Sequence, residues 1–271
     1  MTKIGIYQAT TGIDPERNAA DLVEAIERAA GEGADMLFTP EMSGLLDRQR
    51  ARAAQSIARE SEDKVLAETR EACARTGMWM ALGSLAVARD DGKWANRGFV
   101  IDGTGNIAAR YDKLHMFDVD LDTGESWRES NAYEAGDTVV TVETPVGRLG
   151  LSICYDIRFP ALYEALGQAR CDVIAIPAAF TVPTGRAHWH VLQRARAIEA
   201  SAWVVAAAQV GRHADGRETY GHSLVIDPWG EIALDMGDEG PGLAFAEIDR
   251  SRTDTVRAQL PSLANRRPIA N

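Results

Sequence analysis

Residues 144–160 read TPVGRLGLSICYDIRFP. Within them Gly150 to Ile153 has the length and apolar character of a short buried strand. Cys154 stands at its end, and Tyr155-Asp156-Ile157-Arg158 has the look of a helix start. A strand-to-helix turn exposes the side chain at its apex. A helix N-terminus carries partial positive charge that favours a thiolate, the nucleophilic form of cysteine. Its free N–H groups can also face an oxyanion. The same position equally suits a buried structural cysteine, since free Cys is among the most buried residue types. The rest of the chain has to decide between the two.

Working outward, residues 139–143 and 148–153 read as a strand pair around Pro145-Val146-Gly147. After Cys154 comes a helix that buries Leu162, Ala165, Leu166 and Ala169, then a buried strand at 173–177. Cys171, just ahead of that strand, reads as structural. A loop at 180–185 leads to a helix over 188–200 with Val191, Leu192, Ala195 and Ile198 facing inward. A strand at 203–208 follows. A hairpin (223–226, 231–234) turns on Asp227-Pro228-Trp229-Gly230. The last elements are a strand at 243–248, a short helix at 251–259 and an extended tail over 260–271.

The N-terminal half repeats this plan. A strand at 3–8 precedes a helix signalled by Asp14 as N-cap and Pro15 at its first position, with Ala19, Leu22, Val23, Ile26 and Ala30 on one face. A short strand at 36–39 ends in Pro40-Glu41. A helix over 62–75 carries Cys73 as core. Strands at 79–85, 94–101 and 106–111 follow, the last two joined by Asp102-Gly103-Thr104-Gly105. Residues 113–136 form a long irregular segment, of the kind that is functional or disordered, and Phe117, Trp127 and Tyr133 argue for order. Two similar rounds of alternating strands and helices predict an α/β fold: a mixed sheet pair covered by helices, in one domain over 1–271.

Composition narrows the function. A net charge of −11 excludes a nucleic-acid partner, which wants a basic face. No apolar run approaches a membrane span, and the N-terminus lacks a signal peptide's apolar region. Three cysteines, without metal spacing, argue for no metal site, no disulfide framework and a cytoplasmic setting. No glycine-rich phosphate motif occurs.

A cysteine hydrolase needs a base for the thiol proton and positive charge for the oxyanion. The chain has five histidines, His115, His188, His190, His213 and His222, none in a sequence context that makes it the base. The other option is a carboxylate with a lysine. Glu41 follows a buried strand, at the rim where α/β ligand sites form. Lys113 closes the strand at 106–111, and Glu129 lies in the long loop. Singly, each is equally a solvated charge.

Three motifs join these residues. Phe38-Thr39-Pro40-Glu41, Tyr111-Asp112-Lys113-Leu114-His115 and Ser152-Ile153-Cys154-Tyr155-Asp156 resemble, in order and context, the carbon–nitrogen hydrolase (nitrilase-like) superfamily, over essentially the whole chain. HMFDVD (115–120), RES (128–130), CYDIRFP (154–160), TGRAHWHVLQRARAIE (184–199) and YGHSLVIDPWG (220–230) resemble its Nit-type amidase branch. The AHW…RARAIE, VVAAAQVGRH and YGHS stretches are most similar to the branch members that act on deaminated glutathione.

The resemblance implies a four-layer αββα sandwich and a Glu-Lys-Cys triad of Glu41, Lys113 and Cys154, with Glu129 in support. It implies no cofactor, a small amide substrate cleaved through a thioester with release of ammonia, and a homodimer or higher oligomer. The tail at 260–271 is a candidate for that interface. Tyr155, Arg158, Phe180, Thr181 and Arg186 are candidate substrate-binding residues, the arginines to grip a carboxylate. An ω-amidase or N-carbamoyl-amino-acid amidohydrolase would use the same triad. A silent binding or scaffold protein would keep the fold alone.

Overall fold

The Asp14 side chain accepts hydrogen bonds from the Glu16 and Arg17 N–H groups and starts a helix that Pro15 is preset to enter. In the computed structural model, which describes all residues except 121, 123, 125 and 268–271, this is α1 (Pro15–Gly31). It lies between β1 (Thr2–Gln8) and β2 (Met36–Phe38). A four-residue helix, α2 (Arg50–Ala53), precedes α3 (Lys64–Thr76), which Asp63 caps and Gly77 ends in the left-handed conformation. Strands β3 (Trp79–Ala88), β4 (Trp94–Ile101) and β5 (Ile107–Asp112) complete the first round. The long segment after it is ordered into β6 (Asp118–Asp120), β7 (Ser126–Arg128) and a 3₁₀ turn at Glu129–Asn131.

The second round opens with β8 (Thr141–Thr144) and β9 (Gly147–Leu151), then α4 (Pro160–Gln168), β10 (Val173–Ala175), α5 (Val182–Ala200) and β11 (Trp203–Ala206). A small hairpin, β12 (Val210–Arg212) and β13 (Glu218–Tyr220), precedes β14 (Leu224–Ile226), β15 (Ile232–Asp235), β16 (Gly242–Ile248) and α6 (Arg250–Gln259).

The strands make two six-stranded sheets, ordered β16-β1-β2-β3-β4-β5 and β8-β9-β10-β11-β14-β15. Strand senses match position by position. In each sheet three central parallel strands (β1-β2-β3 and β9-β10-β11) carry an antiparallel edge on one side and an antiparallel pair on the other. The two rounds are therefore repeats of one topology. The exception to a clean division is β16, which leaves the second half to pair with β1.

One apolar core fills the space between the sheets and beneath the second helical layer, from Ile4, Phe38 and Tyr111 through Leu151 and Val204 to Trp189. A second core packs α1 and α3 on the outer face of the first sheet through Leu22, Ile26, Leu66 and Phe99. Helix, sheet, sheet, helix is the expected four-layer order.

Four local expectations change. Residues 154–158 form a 3₁₀ turn, and the α-helix starts only at Pro160. Helix α5 starts at Val182, so the expected loop there is shorter. That helix turns Trp189, Gln193, Arg196 and Ala197 inward and leaves Val191 and Ile198 at 61% and 41% exposure. The apolar spacing misled because Arg196 is buried with its charge satisfied by the Ile157 carbonyl and Glu199. The tail is not extended. Residues 262–264 turn, Arg266 pairs with Glu164, and Leu263 packs beside Gly167. Residues 268–271 of the tail lie outside the described residues.

Candidate active site

Glu41, Lys113 and Cys154 come from three separate strand ends and are all buried. Glu41 follows β2, the middle strand of the first sheet. Its backbone path depends on Gly83, where a Cβ would lie 2.2 Å from the Thr39 carbonyl oxygen and 2.3 Å from that of Pro40. The β3–β4 register shifts between Leu82 and Leu85, and Met42 takes a positive φ of 56°. Ser84 then holds the segment through Met42 N and Ser43 N.

Lys113 follows β5 directly. Its Nζ lies 2.9 Å from Glu41 Oε1 and 3.0 and 2.8 Å from the two Glu129 oxygens. Asn96 on β4 donates from one Nδ2 to both carboxylates, at 2.9 Å to Glu41 and 3.1 Å to Glu129. The second Glu41 oxygen accepts from the Ala179 N–H at 2.9 Å, and Glu129 accepts from the Phe117 N–H at 2.7 Å. Two carboxylates thus share one ammonium inside the protein.

Cys154 sits at the entrance to the 3₁₀ turn with a φ of 49°, a left-handed conformation unusual for a side-chain-bearing residue. Its N–H donates to the Pro177 carbonyl at 2.8 Å, so the turn is anchored to the segment after β10. Its thiol lies in the same buried cluster, near enough for the Glu41 and Lys113 charges both to act on it. Tyr155 N–H occupies the first turn, where main-chain donors have no partner within the helix.

Burial pushes the Cys154 thiol well above its ordinary pKa, and the Glu41 charge pushes the same way, while Lys113 opposes them only in part. The resting group is the thiol. The helix-terminus argument for a resting thiolate fails because the turn is five residues long and the site is buried. For Glu41, burial alone would raise the pKa. The Lys113 charge, with hydrogen bonds from Lys113 and Asn96, overrides it and holds Glu41 below the usual carboxylate value. Burial would lower the Lys113 pKa, but Glu129 and then Glu41 hold it well above the ordinary one. A carboxylate close to a thiol and beside a fixed ammonium can take the thiol proton and leave positive charge for an oxyanion.

The carbon–nitrogen hydrolase family description matches residues 3–258. The chain belongs to that family. It is 36% identical to the deaminated glutathione amidase of Yersinia enterocolitica, over 99% of this chain and 94% of that protein. The Synechocystis sp. protein of the same name is 39% identical, over 96% of each chain. The crystal structure of the Caenorhabditis elegans NitFhit protein superposes with a TM-score of 0.91 at 36% identity, covering 98% of this chain and 65% of that one. The fold is that of the nitrilase superfamily, and the protein is a hydrolase of non-peptide carbon–nitrogen bonds.

Against this family frame the other expected residues divide. Tyr155 is half-buried, its ring edge-on to Phe117 and Phe159 with centroids at 5.1 and 5.4 Å. Arg158 lies over the rings of Tyr155 and Phe180, at 5.8 and 5.5 Å, with Nη1 3.3 Å from His188 Nδ1. Among the described residues no carboxylate pairs with it. Phe180 is buried against Trp189 at 4.8 Å and also forms the floor under Arg158. Thr181 is the N-cap residue of α5, and its hydroxyl lies 2.8 Å from that of Thr184. Arg186 is exposed on α5, and its charge acts on the Tyr220 phenol.

Sequence reasoning missed the residues that hold these groups in place. Asp156 is fully buried and accepts from Tyr111 Oη, Ile153 N and His115 N at 2.7, 2.9 and 3.0 Å. It also meets His115 Nδ1 at 2.7 Å, and His115 stacks on Phe159 with centroids 3.6 Å apart. Arg196 clamps the far end of the turn through the Ile157 carbonyl at 2.8 and 2.7 Å. The available signal was a polar residue inside an apolar run, Asn96 in β4 and Asp156 two residues into the turn that carries Cys154.

Proposed function

We propose that this carbon–nitrogen hydrolase is a cysteine amidase in which Cys154 is the nucleophile, Glu41 the general base and acid, and Lys113 the oxyanion's charge partner. The observation that supports this reading is a buried cluster in which Cys154 feels the charges of Glu41 and Lys113, with the Lys113 Nζ 2.9 Å from Glu41 Oε1. Glu41 takes the thiol proton as sulfur attacks the amide carbonyl. The oxyanion is held by Lys113 and the Tyr155 N–H. Glu41 returns its proton to the departing nitrogen, and the C–N bond breaks to leave a thioester. Glu41 then deprotonates a water that attacks the thioester, and Cys154 leaves as the thiol. Glu129 fixes the ammonium and keeps it charged.

The substrate we propose is a small amide bearing a carboxylate. Arg158, free of a carboxylate partner among the described residues, is the group for that carboxylate, lying over Tyr155 beside the nucleophile. Deaminated glutathione, named in the relatives, fits this class. Its scissile amide nitrogen belongs to cysteinylglycine, so this substrate would release a dipeptide instead of the ammonia expected from a primary amide.

The exposed Val191, Ile198, Trp229 and Ile232 support a homodimer or higher oligomer. A reactive free thiol suits a reducing compartment, and we propose the cytoplasm. No described helix is long and apolar enough to cross a membrane.

The test is turnover of a panel by the wild type and Cys154→Ala. Cysteinylglycine release is read for deaminated glutathione, ammonia for primary ω-amides, and carbon dioxide with ammonia for N-carbamoyl amino acids. Turnover of one class, lost in Cys154→Ala, is the expected result. Full activity in Cys154→Ala would overturn the mechanism. Silence with an unreactive Cys154 would point to a scaffold.

A further inference from the structure

Away from the Cys154 cluster, three side chains from three separate segments converge. His190 comes from the middle of α5, His222 from the connection between β13 and β14, and Asp235 from the end of β15. One ligand atom from each lies within 4.8 Å of the others. Asp235 Oδ2 is 3.0 Å from His190 Nε2, and Asp235 Oδ1 is 2.9 Å from His222 Nδ1. Asp235 Oδ2 is also 3.2 Å from His222 Nδ1, so one carboxylate oxygen stands 3.0 and 3.2 Å from the two imidazole nitrogens, near the roughly 3.3 Å between ligand atoms of a tetrahedral ion with bonds of about 2.05 Å.

The cluster is held from outside. The Gly237 N–H donates to Asp235 Oδ1 at 2.9 Å, which aims the carboxylate. His222 takes a φ of 53°, and its main chain is fixed on both sides. Its N–H donates to the Gly237 carbonyl and its own carbonyl accepts from Trp189 Nε1, each at 2.7 Å. The Tyr220 ring stacks on His222 with centroids 4.5 Å apart and meets His190 edge-on at 6.0 Å. Gly185 admits that ring against α5, since a Cβ there would lie 2.3 Å from it. All three ligands are partly exposed, which leaves a coordination position open to solvent.

We propose that His190, His222 and Asp235 form a binding site for a divalent transition-metal ion of the zinc class. An N₂O donor set of two imidazoles and a carboxylate favours zinc and its neighbours over magnesium or calcium, which prefer oxygen alone. The ion would tie α5 to the Tyr220–His222 segment and the β14–β15 hairpin. Through the Tyr220 N–H bond to the Phe180 carbonyl, that tie reaches the aromatic floor beneath Arg158. Sequence spacing could not reveal it, because the ligands are far apart along the chain.

The test is calorimetric titration of zinc into the full-length Cys154→Ala protein, so that the nucleophile cannot take the metal. Cobalt is used in parallel for its visible bands in a tetrahedral site. The expected result is one ion per chain, tetrahedral cobalt bands and a higher Tm with metal. His190→Gln and Asp235→Asn should each weaken binding at least about tenfold and remove the bands. Both variants keep the size of the original side chain, and their metal-free Tm and circular dichroism check the fold. No stoichiometric binding at a free zinc of about 0.1 mM, or binding that both variants retain, overturns the proposal.

Discussion

The Tyr111 hydroxyl donates to Asp156 Oδ2 at 2.7 Å, joining the end of β5 to the turn that carries Cys154. Tyr111 is two residues before Lys113, and Asp156 is two residues after Cys154. The same carboxylate, through Oδ1, accepts from His115 N on the other side of Lys113. One buried aspartate therefore fixes the lysine from the first repeat against the cysteine from the second. We expect Asp156→Asn to lower kcat by about 10²-fold, because an amide cannot accept from all of these donors at once. KM should change little and circular dichroism should stay native, the pattern of a positioning residue. Tyr111→Phe, which removes one donor, should cost roughly 1–3 kcal/mol of stability by chemical denaturation and less activity.

The Cys154 thiol should owe its reactivity to Glu41. Glu41 is held below the ordinary carboxylate pKa, so its base form persists as pH falls and is lost only through that lowered value. Wild-type alkylation by iodoacetamide should stay level through the ordinary carboxylate range and fall only at more acidic pH. Glu41→Gln should slow alkylation at neutral pH and restore it only as the thiol itself ionises at higher pH, where burial still raises the thiol but the Glu41 charge no longer does and Lys113 lowers it. In Lys113→Met the charge that offsets burial is gone, so the Glu41 pKa rises and the acid limb moves to higher pH. Neutral-pH alkylation of Glu41→Gln at the wild-type rate would remove Glu41 from the role of base. Cys73 and Cys171, both fully buried with thiols pushed up to about 12, should not compete.

Glu129 binds Lys113 through both oxygens, at 3.0 and 2.8 Å. Glu129→Gln keeps the shape and removes the charge that does most to keep the lysine an ammonium. We expect kcat to fall by about 10–10²-fold with KM nearly unchanged, since the loss falls on the oxyanion. A rise in KM alone would instead place Glu129 in substrate binding.

Much of this was legible in the chain because local signals and global fold agree. Asp14-Pro15 marks a helix start, and the strands read at 79–85 and 94–101 form there, the first running on to Ala88. That Glu41, Lys113, Glu129 and Cys154 come together was readable only from the four as a set, since each alone is an ordinary charge or a core thiol. What stayed hidden depends on long-range partners. Arg196 looks like a surface residue until Ile157 and Glu199 satisfy it, and that one burial rotates the apolar reading of α5. Asn96 and Asp156 look like strand and helix polars until Glu41 and Tyr111 arrive from other segments.

Gly83 allows the Thr39-Pro40 backbone to pass at contact distance. In Gly83→Ala the new methyl would lie 2.2 Å from the Thr39 oxygen, which is main chain and can move only with Glu41. We expect a loss of about 1–3 kcal/mol in denaturant unfolding and a larger fractional loss of kcat, because the shift displaces Glu41, the proposed base. A variant with wild-type kcat would mean that the segment yields elsewhere.

Arg158 has two aromatic rings and a histidine around it, and no carboxylate among the described residues. A guanidinium so placed, with Nη1 engaged by His188, keeps the rest of its hydrogen-bonding fork for a ligand anion. Arg158→Met should raise KM for a carboxylate-bearing amide by about 10–10²-fold, the weight of a charge-assisted hydrogen bond, with a smaller effect on kcat. Arg158→Lys should recover only part, because a point charge does not reproduce the bidentate geometry. The neutral reagent iodoacetamide should alkylate Cys154 in both variants at the wild-type rate. Equal losses of kcat/KM for carboxylate-bearing and neutral amides would show that Arg158 braces Tyr155 and Phe180 and does not read the substrate.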